Sequence, residues 1–100
     1  MAKKRKLSAI HPGEILYEEY MVPNGLNARK LALALHTDAP RINDIIRGRR
    51  GVTADTALRL SAFFTGTTPG FWLGLQTNYD VRVAREKLGQ RARQIRALAG

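Results

Sequence analysis

Cysteine is absent from the 100 residues, which excludes disulfide scaffolds, thiol nucleophiles and cysteine metal sites and fits a reducing compartment. Long apolar runs are missing too, since no stretch approaches the roughly 20 residues that a membrane-spanning helix needs. The basic opening Lys3-Lys4-Arg5-Lys6 is followed only by Leu7, Ala9 and Ile10 before His11-Pro12-Gly13-Glu14, so no secretory apolar region follows and a cytoplasmic protein is expected. Acidic residues are scarce: eight stand against 17 Lys and Arg, leaving a net charge of +9. That excess favours polyanionic partners. No segment alternates with period two, so no sheet is expected. A chain of 11.1 kDa is one domain with one modest core.

The excess charge lies at the ends. Residues 1–6 carry +4 with no acid, and residues 81–100 carry Arg82, Arg85, Lys87, Arg91, Arg93 and Arg96 against Glu86 alone. Residues 7–80 are neutral but polarised, with Glu14, Glu18 and Glu19 first and all seven bases between Arg29 and Arg59. Three regions are therefore expected: a basic arm over 1–10, a folded domain over 11–80 and a basic helical tail over 81–100.

Helical signals run the length of the folded part. Pro12 opens a first helix with Ile15, Leu16 and Tyr20 at helical spacing, and Pro23 with Asn24-Gly25 ends it. Asn27 caps a second helix, Ala28 to Leu35, with Leu31, Ala32 and Leu35 as its buried stripe. His36 and Thr37 form a short joint, and a third helix starts at Asp38 or Thr37, since Pro40 is tolerated only in a first turn. Ile42, Ile45 and Ile46 fall on its dry side, while Pro40, Asn43, Asp44 and Arg47 cluster opposite, with Arg41 on the flank. Gly48 stops this helix and Arg49-Arg50-Gly51 makes a basic loop. Thr53 caps a fourth helix burying Ala57, Leu60 and Phe64. Thr68-Pro69 starts a fifth, with Trp72, Leu75, Tyr79 and Val83 along one stripe. Beyond Arg85 the pattern weakens, and Gly89 with the density of Arg points to a frayed or partner-dependent helix.

No catalytic set can be assembled, and no cofactor or metal is expected. Glu18 and Glu19 diverge on a helix, Ser8 and Ser61 have no nearby base, and the glycines lack the strand and terminal Lys of a phosphate loop. His11 and His36 lie at a helix start and in a turn, with no acid or thiol at metal-ligand spacing, so both read as capping or surface residues. What the residues do offer is two helices with a short joint, apolar at Leu31, Ala32, Leu35, Ile42 and Ile45, as a helix-turn-helix requires. The polar face of the third helix then fits a DNA major groove, where Arg pairs with guanine and Asn with adenine. One recognition helix touches few bases, so a homodimer is expected.

His11-Pro12-Gly13-Glu14, Arg41-Ile42-Asn43, Gly48 with Arg50-Gly51, Thr53 to Leu60, Phe71-Trp72-Leu73 with Leu75-Gln76, and Tyr79-Asp80 together resemble the HigA (VapI-like) antitoxin family of the lambda-repressor-like, Xre-type helix-turn-helix superfamily. The resemblance spans about residues 11 to 85. It implies an all-α, five-helix lambda-repressor-like domain with a C-terminal helical extension. It further implies a dimeric antitoxin that binds the double-stranded operator DNA of its own operon, represses it, and neutralises an mRNA-cleaving HigB-type toxin. On this resemblance Pro40, Arg41, Asn43, Asp44 and Arg47 face bases; Asn27, Arg29, Arg49, Arg50 and Thr53 contact phosphates; Trp72, Leu75 and Tyr79 serve the dimer or the core. It also implies a departure, because helix-turn-helix joints usually carry Gly where His36 stands and an apolar residue where Thr37 stands. Two alternatives stay open on sequence: a solitary Xre-type regulator without a toxin, and a protein-interaction domain on the same fold.

Overall fold

The computed structural model describes residues 10–99, and among these every regular element is helical. Helix α1 spans Pro12–Ile15 and runs without a break into a π-type segment, Leu16–Met21, and a 3-10 turn, Val22–Asn24. There follow α2 (Ala28–Leu35), α3 (Ala39–Ile46), α4 (Ala54–Phe63), α5 (Pro69–Leu88) and the single turn α6 (Arg91–Gln94). The basic arm expected over residues 1–10 lies, except for Ile10, outside the described residues.

Short polar side chains start most of these helices by taking an otherwise orphaned N–H. Asn27 Oδ1 accepts from Lys30 N at 2.8 Å, Asp38 Oδ1 from Arg41 N at 2.8 Å, Thr53 Oγ1 from Thr56 N at 3.3 Å and Thr68 Oγ1 from Phe71 N at 3.0 Å. Pro40 and Pro69 each sit within a first turn, where their missing N–H breaks no ladder bond.

One core holds the helices. Leu31, Ala32 and Leu35 of α2 meet Ile42 and Ile45 of α3, with Ala57 and Leu60 of α4 and Trp72 of α5 closing it. Ile46 is only half-buried against this cluster. Phe64 is buried as the residue that caps α4 rather than within it. The first segment departs from its expected stripe of Ile15, Leu16 and Tyr20: Leu16 and Met21 are fully buried, whereas Ile15 and Tyr20 are half-buried. The cause is the π-type winding, in which Val22 N–H reaches back five residues to the Tyr17 carbonyl, so residues five apart share a face.

The expected boundary at residue 80 falls inside α5, which continues to Leu88 and stops at Gly89 in a positive-φ conformation. Leu88, Ile95 and Leu98 are exposed there, so the distal apolar residues do not extend the core. No helix among the described residues is long and apolar enough to cross a membrane.

Candidate nucleic-acid interface

The turn between α2 and α3 is built around His36, which ends α2 in the left-handed region at φ 58. This is the position where such a joint usually has Gly, and the backbone demand is met here by a residue that enters the region at some strain. Two features hold it. Thr37 N donates to the Ala32 carbonyl at 2.9 Å, and Arg59 Nη1 donates to the carbonyls of Leu35 at 2.8 Å and His36 at 2.9 Å. A guanidinium thus caps the C-terminal, electronegative end of α2 and ties the turn to α4.

Helix α3 keeps its dry face inward, with Ile42 and Ile45 fully buried. On the other side Pro40 and Arg47 are exposed and Asn43 and Asp44 half-buried. The chain leaves α3 through Gly48 at φ 75 and folds back, so that the Asp44 carbonyl accepts from Arg49 N at 2.8 Å and Arg50 N at 3.2 Å. Arg49 and Arg50 are consequently exposed beside Arg47 at the end of the helix. Asn27 and Arg29 are exposed at the start of α2, and Thr53 at the start of α4.

Arg41, expected on the flank of α3, is half-buried and reaches across to α4. Its Nη1 pairs with Asp55 Oδ2 on α4 at 3.3 Å, and its Nε is buried with no hydrogen-bond partner among the described residues. The same Asp55 oxygen accepts from Arg59 Nε at 2.9 Å. That bond, with the nearby charges of Arg59 and Arg41, holds the Asp55 carboxyl below the usual carboxylate range despite some desolvation. Asp55 and Arg59 stand outside the residues that the resemblance assigns to DNA. Their four-residue spacing on a helix was the available signal, but the link to Arg41 and to the turn carbonyls depends on how α4 packs.

Two further supports also come from tertiary structure. Gln76 Oε1 on α5 accepts from Val52 N at 2.7 Å and so anchors the basic loop. Gln76 is itself oriented by donating from Nε2 to Asp80 at 2.9 Å. His11 Nδ1 accepts from Gly13 N at 2.9 Å and caps α1, while its ring meets Tyr79 edge-on with centroids 4.8 Å apart. Burial pushes the His11 imidazole below its ordinary value, opposed by the charges of Asp80 and Glu14.

Of the three α5 residues assigned to dimer or core, Trp72 is fully buried, whereas Leu75 and Tyr79 are half-buried. Trp72 meets Tyr20 and Phe71 edge-on and Phe64 at a tilt, and its Nε1 donates to Thr67 Oγ1 at 3.0 Å. It therefore belongs to the protomer's own core.

Two helices joined by a tight turn, the second carrying a polar outer face beside a basic loop, define a helix-turn-helix protein. Residues 18–71 match the Helix-turn-helix family. Virulence-associated protein I of Dichelobacter nodosus is 54% identical over 85 residues, covering 85% of this chain and 78% of that protein. Antitoxin HigA-1 of Vibrio cholerae is 32% identical over 97 residues, covering 96% of this chain and 90% of that protein. Among solved structures, Pseudomonas aeruginosa antitoxin HigA with the higBA promoter superposes with a TM-score of 0.85 at 40% identity, covering 90% of this chain and 98% of that one. The chain belongs to the Xre-type helix-turn-helix proteins, in the branch of the HigA antitoxins and VapI-like virulence-associated proteins.

Proposed function

We propose that the chain is a sequence-specific DNA-binding antitoxin that acts as a homodimer in the cytoplasm, represses its own operon and neutralises an mRNA-cleaving toxin of the HigB type. The observation that carries this reading is α3, fully buried along Ile42 and Ile45 yet exposed at Pro40 and Arg47 and half-open at Asn43, beside the exposed Arg49 and Arg50. A relative with HigA in its name and a similar HigA structure with promoter DNA support it.

A helix of this kind fits the roughly 12 Å major groove. Arg47 matches the acceptor pair of guanine, Asn43 the donor-acceptor pair of adenine, and Asp44 the exocyclic amine of cytosine. Pro40 presents only apolar surface, which suits a thymine methyl. Asn27, Arg29 and Thr53 stand at the starts of α2 and α4, where helix N–H groups and basic side chains meet phosphate. Arg49 and Arg50 extend that backbone contact. Two copies reading half-sites about one helical turn, roughly 34 Å, apart supply the length that one helix lacks.

Fluorescence anisotropy with the promoter of its own operon and with random duplex tests the DNA-binding part. Arg47→Ala should lose about 1–3 kcal/mol on the promoter and leave random DNA nearly unchanged. Equal affinity of the wild type for both duplexes overturns the reading. The antitoxin part is tested by co-expressing the neighbouring frame: protection of cellular mRNA and co-purification support it, and an absent or unaffected nuclease overturns it.

A further inference from the structure

We infer that Asp55 is a specificity-determining residue of the DNA interface, acting by withholding Arg41 from the phosphate backbone. The inference rests on the DNA-binding reading above and extends it to a residue outside the recognition helix.

The argument starts from an unequal sharing. Asp55 Oδ2 accepts from Arg59 Nε at 2.9 Å and from Arg41 Nη1 at 3.3 Å, so one oxygen serves two guanidinium groups and Arg41 has the longer bond. Arg59 is itself fixed by the Leu35 and His36 carbonyls. The position of the carboxylate is therefore set by the helix-turn-helix joint, and only Arg41 can leave without disturbing it. Leaving is easy in another respect: the Arg41 Nε is buried and unpartnered in the parked position, an arrangement that release relieves. With side chains 32% and 55% exposed, the pair is open to competition from solvent and ligand.

The competition is not equal for all ligands. A phosphate offers Arg41 a charge-assisted contact much like the one it gives up at Asp55, but its negative charge is repelled by that same carboxylate, whereas a base edge carries no net charge. Guanine offers two acceptors in the fixed geometry a guanidinium matches. The net gain is therefore small on backbone and larger on the right base. Asp55, at the start of α4 close to Thr53, also places negative charge where a phosphate would approach Arg41. On random DNA Arg41 stays parked, and on the operator it is released to a base.

The test measures operator and random-duplex binding by the full chain across salt concentrations for wild type, Asp55→Asn, Arg41→Ala and the double variant, with thermal denaturation alongside. Asp55→Asn should raise affinity for random DNA roughly five- to tenfold near 0.1 M salt and steepen its salt slope by about one, the signature of one added phosphate contact. The operator-to-random ratio should fall by a similar factor. With Arg41→Ala already present, Asp55→Asn should change both affinities in parallel and leave the ratio alone. An unchanged ratio and slope in Asp55→Asn overturns the inference. So does a ratio effect that persists without Arg41, or a loss on both duplexes that tracks a lowered melting temperature. A wild-type protein that does not discriminate at all overturns the DNA-binding reading itself, a result separable from the others.

Discussion

Gly13 lies so close to the carbonyl of Ile45 that a β-carbon on it would stand 1.8 Å from the oxygen. The start of α1 is thereby pressed against the end of α3, the helix proposed to read DNA. Neither backbone can yield cheaply, because the Ile45 side chain is fully buried in the core. Gly13→Ala should therefore destabilise by about 3 kcal/mol, the upper part of the range for overpacking. Urea denaturation checks it, and a midpoint unchanged from wild type would show that α1 can shift without disturbing α3.

The bond from Val52 N to Gln76 Oε1 joins α5 to the loop that carries Arg49 and Arg50. Val52 is buried, so Gln76→Ala strands a donor with little access to water. A loss of about 1–3 kcal/mol in stability is expected. Because the loop would loosen without any base-facing side chain being touched, operator and random DNA should both bind more weakly. Melting curves and anisotropy on the two duplexes check this, and a selective loss on the operator alone would contradict it.

What the sequence revealed and what it concealed divide along the same line. The caps Asn27, Thr53 and Thr68, the stripe Leu31-Ala32-Leu35 and the two-sided α3 are set within a few residues and read directly from spacing, while the choice of Asp38 over Thr37 as the start of α3 does not. The resemblance marks His36 as standing where such joints usually carry Gly, and the backbone there does turn to φ 58. Leu16 reads correctly, but Ile15 and Tyr20 are only half-buried and the buried Met21 is missed, because a 3.6-residue period does not describe a segment wound with five-residue bonds. The tie of Arg41 to Asp55 is concealed because the two stand 14 residues apart, and nothing in local pattern connects them. The contacts of Gly13 with α3 and of Gln76 with Val52 are concealed for the same reason: each is a property of packing between helices.

His36 allows the strain at the joint to be measured. A left-handed conformation costs a residue with a β-carbon about 1–2 kcal/mol, while Gly gives up roughly 0.5–1 kcal/mol in unfolded-state entropy. His36→Gly should consequently stabilise by about 0.5–1 kcal/mol, since the Arg59 clamp holds backbone carbonyls that the substitution leaves in place. His36→Val should destabilise, because a β-branched side chain fits this region worst. Melting temperatures ordered Gly above His above Val would establish the point, and the reverse order would show that the imidazole itself stabilises the turn.

His11 should make the fold sensitive to acid in the range where few other groups titrate. Its imidazole is held below its ordinary value by burial, and its Nδ1 must be unprotonated to accept from Gly13 N. The folded state thus binds the proton less readily than the unfolded chain, so unfolding takes up protons and stability rises with pH across this window. The contribution is fully present above the unfolded value of about 6.5 and is lost as pH falls toward the lower folded value. Melting temperature should drop between pH 7.5 and 5.5 in the wild type. His11→Asn, which retains a capping oxygen but cannot take up a proton, should flatten that drop. If both proteins lose stability in parallel, the acid sensitivity lies elsewhere than at the start of α1.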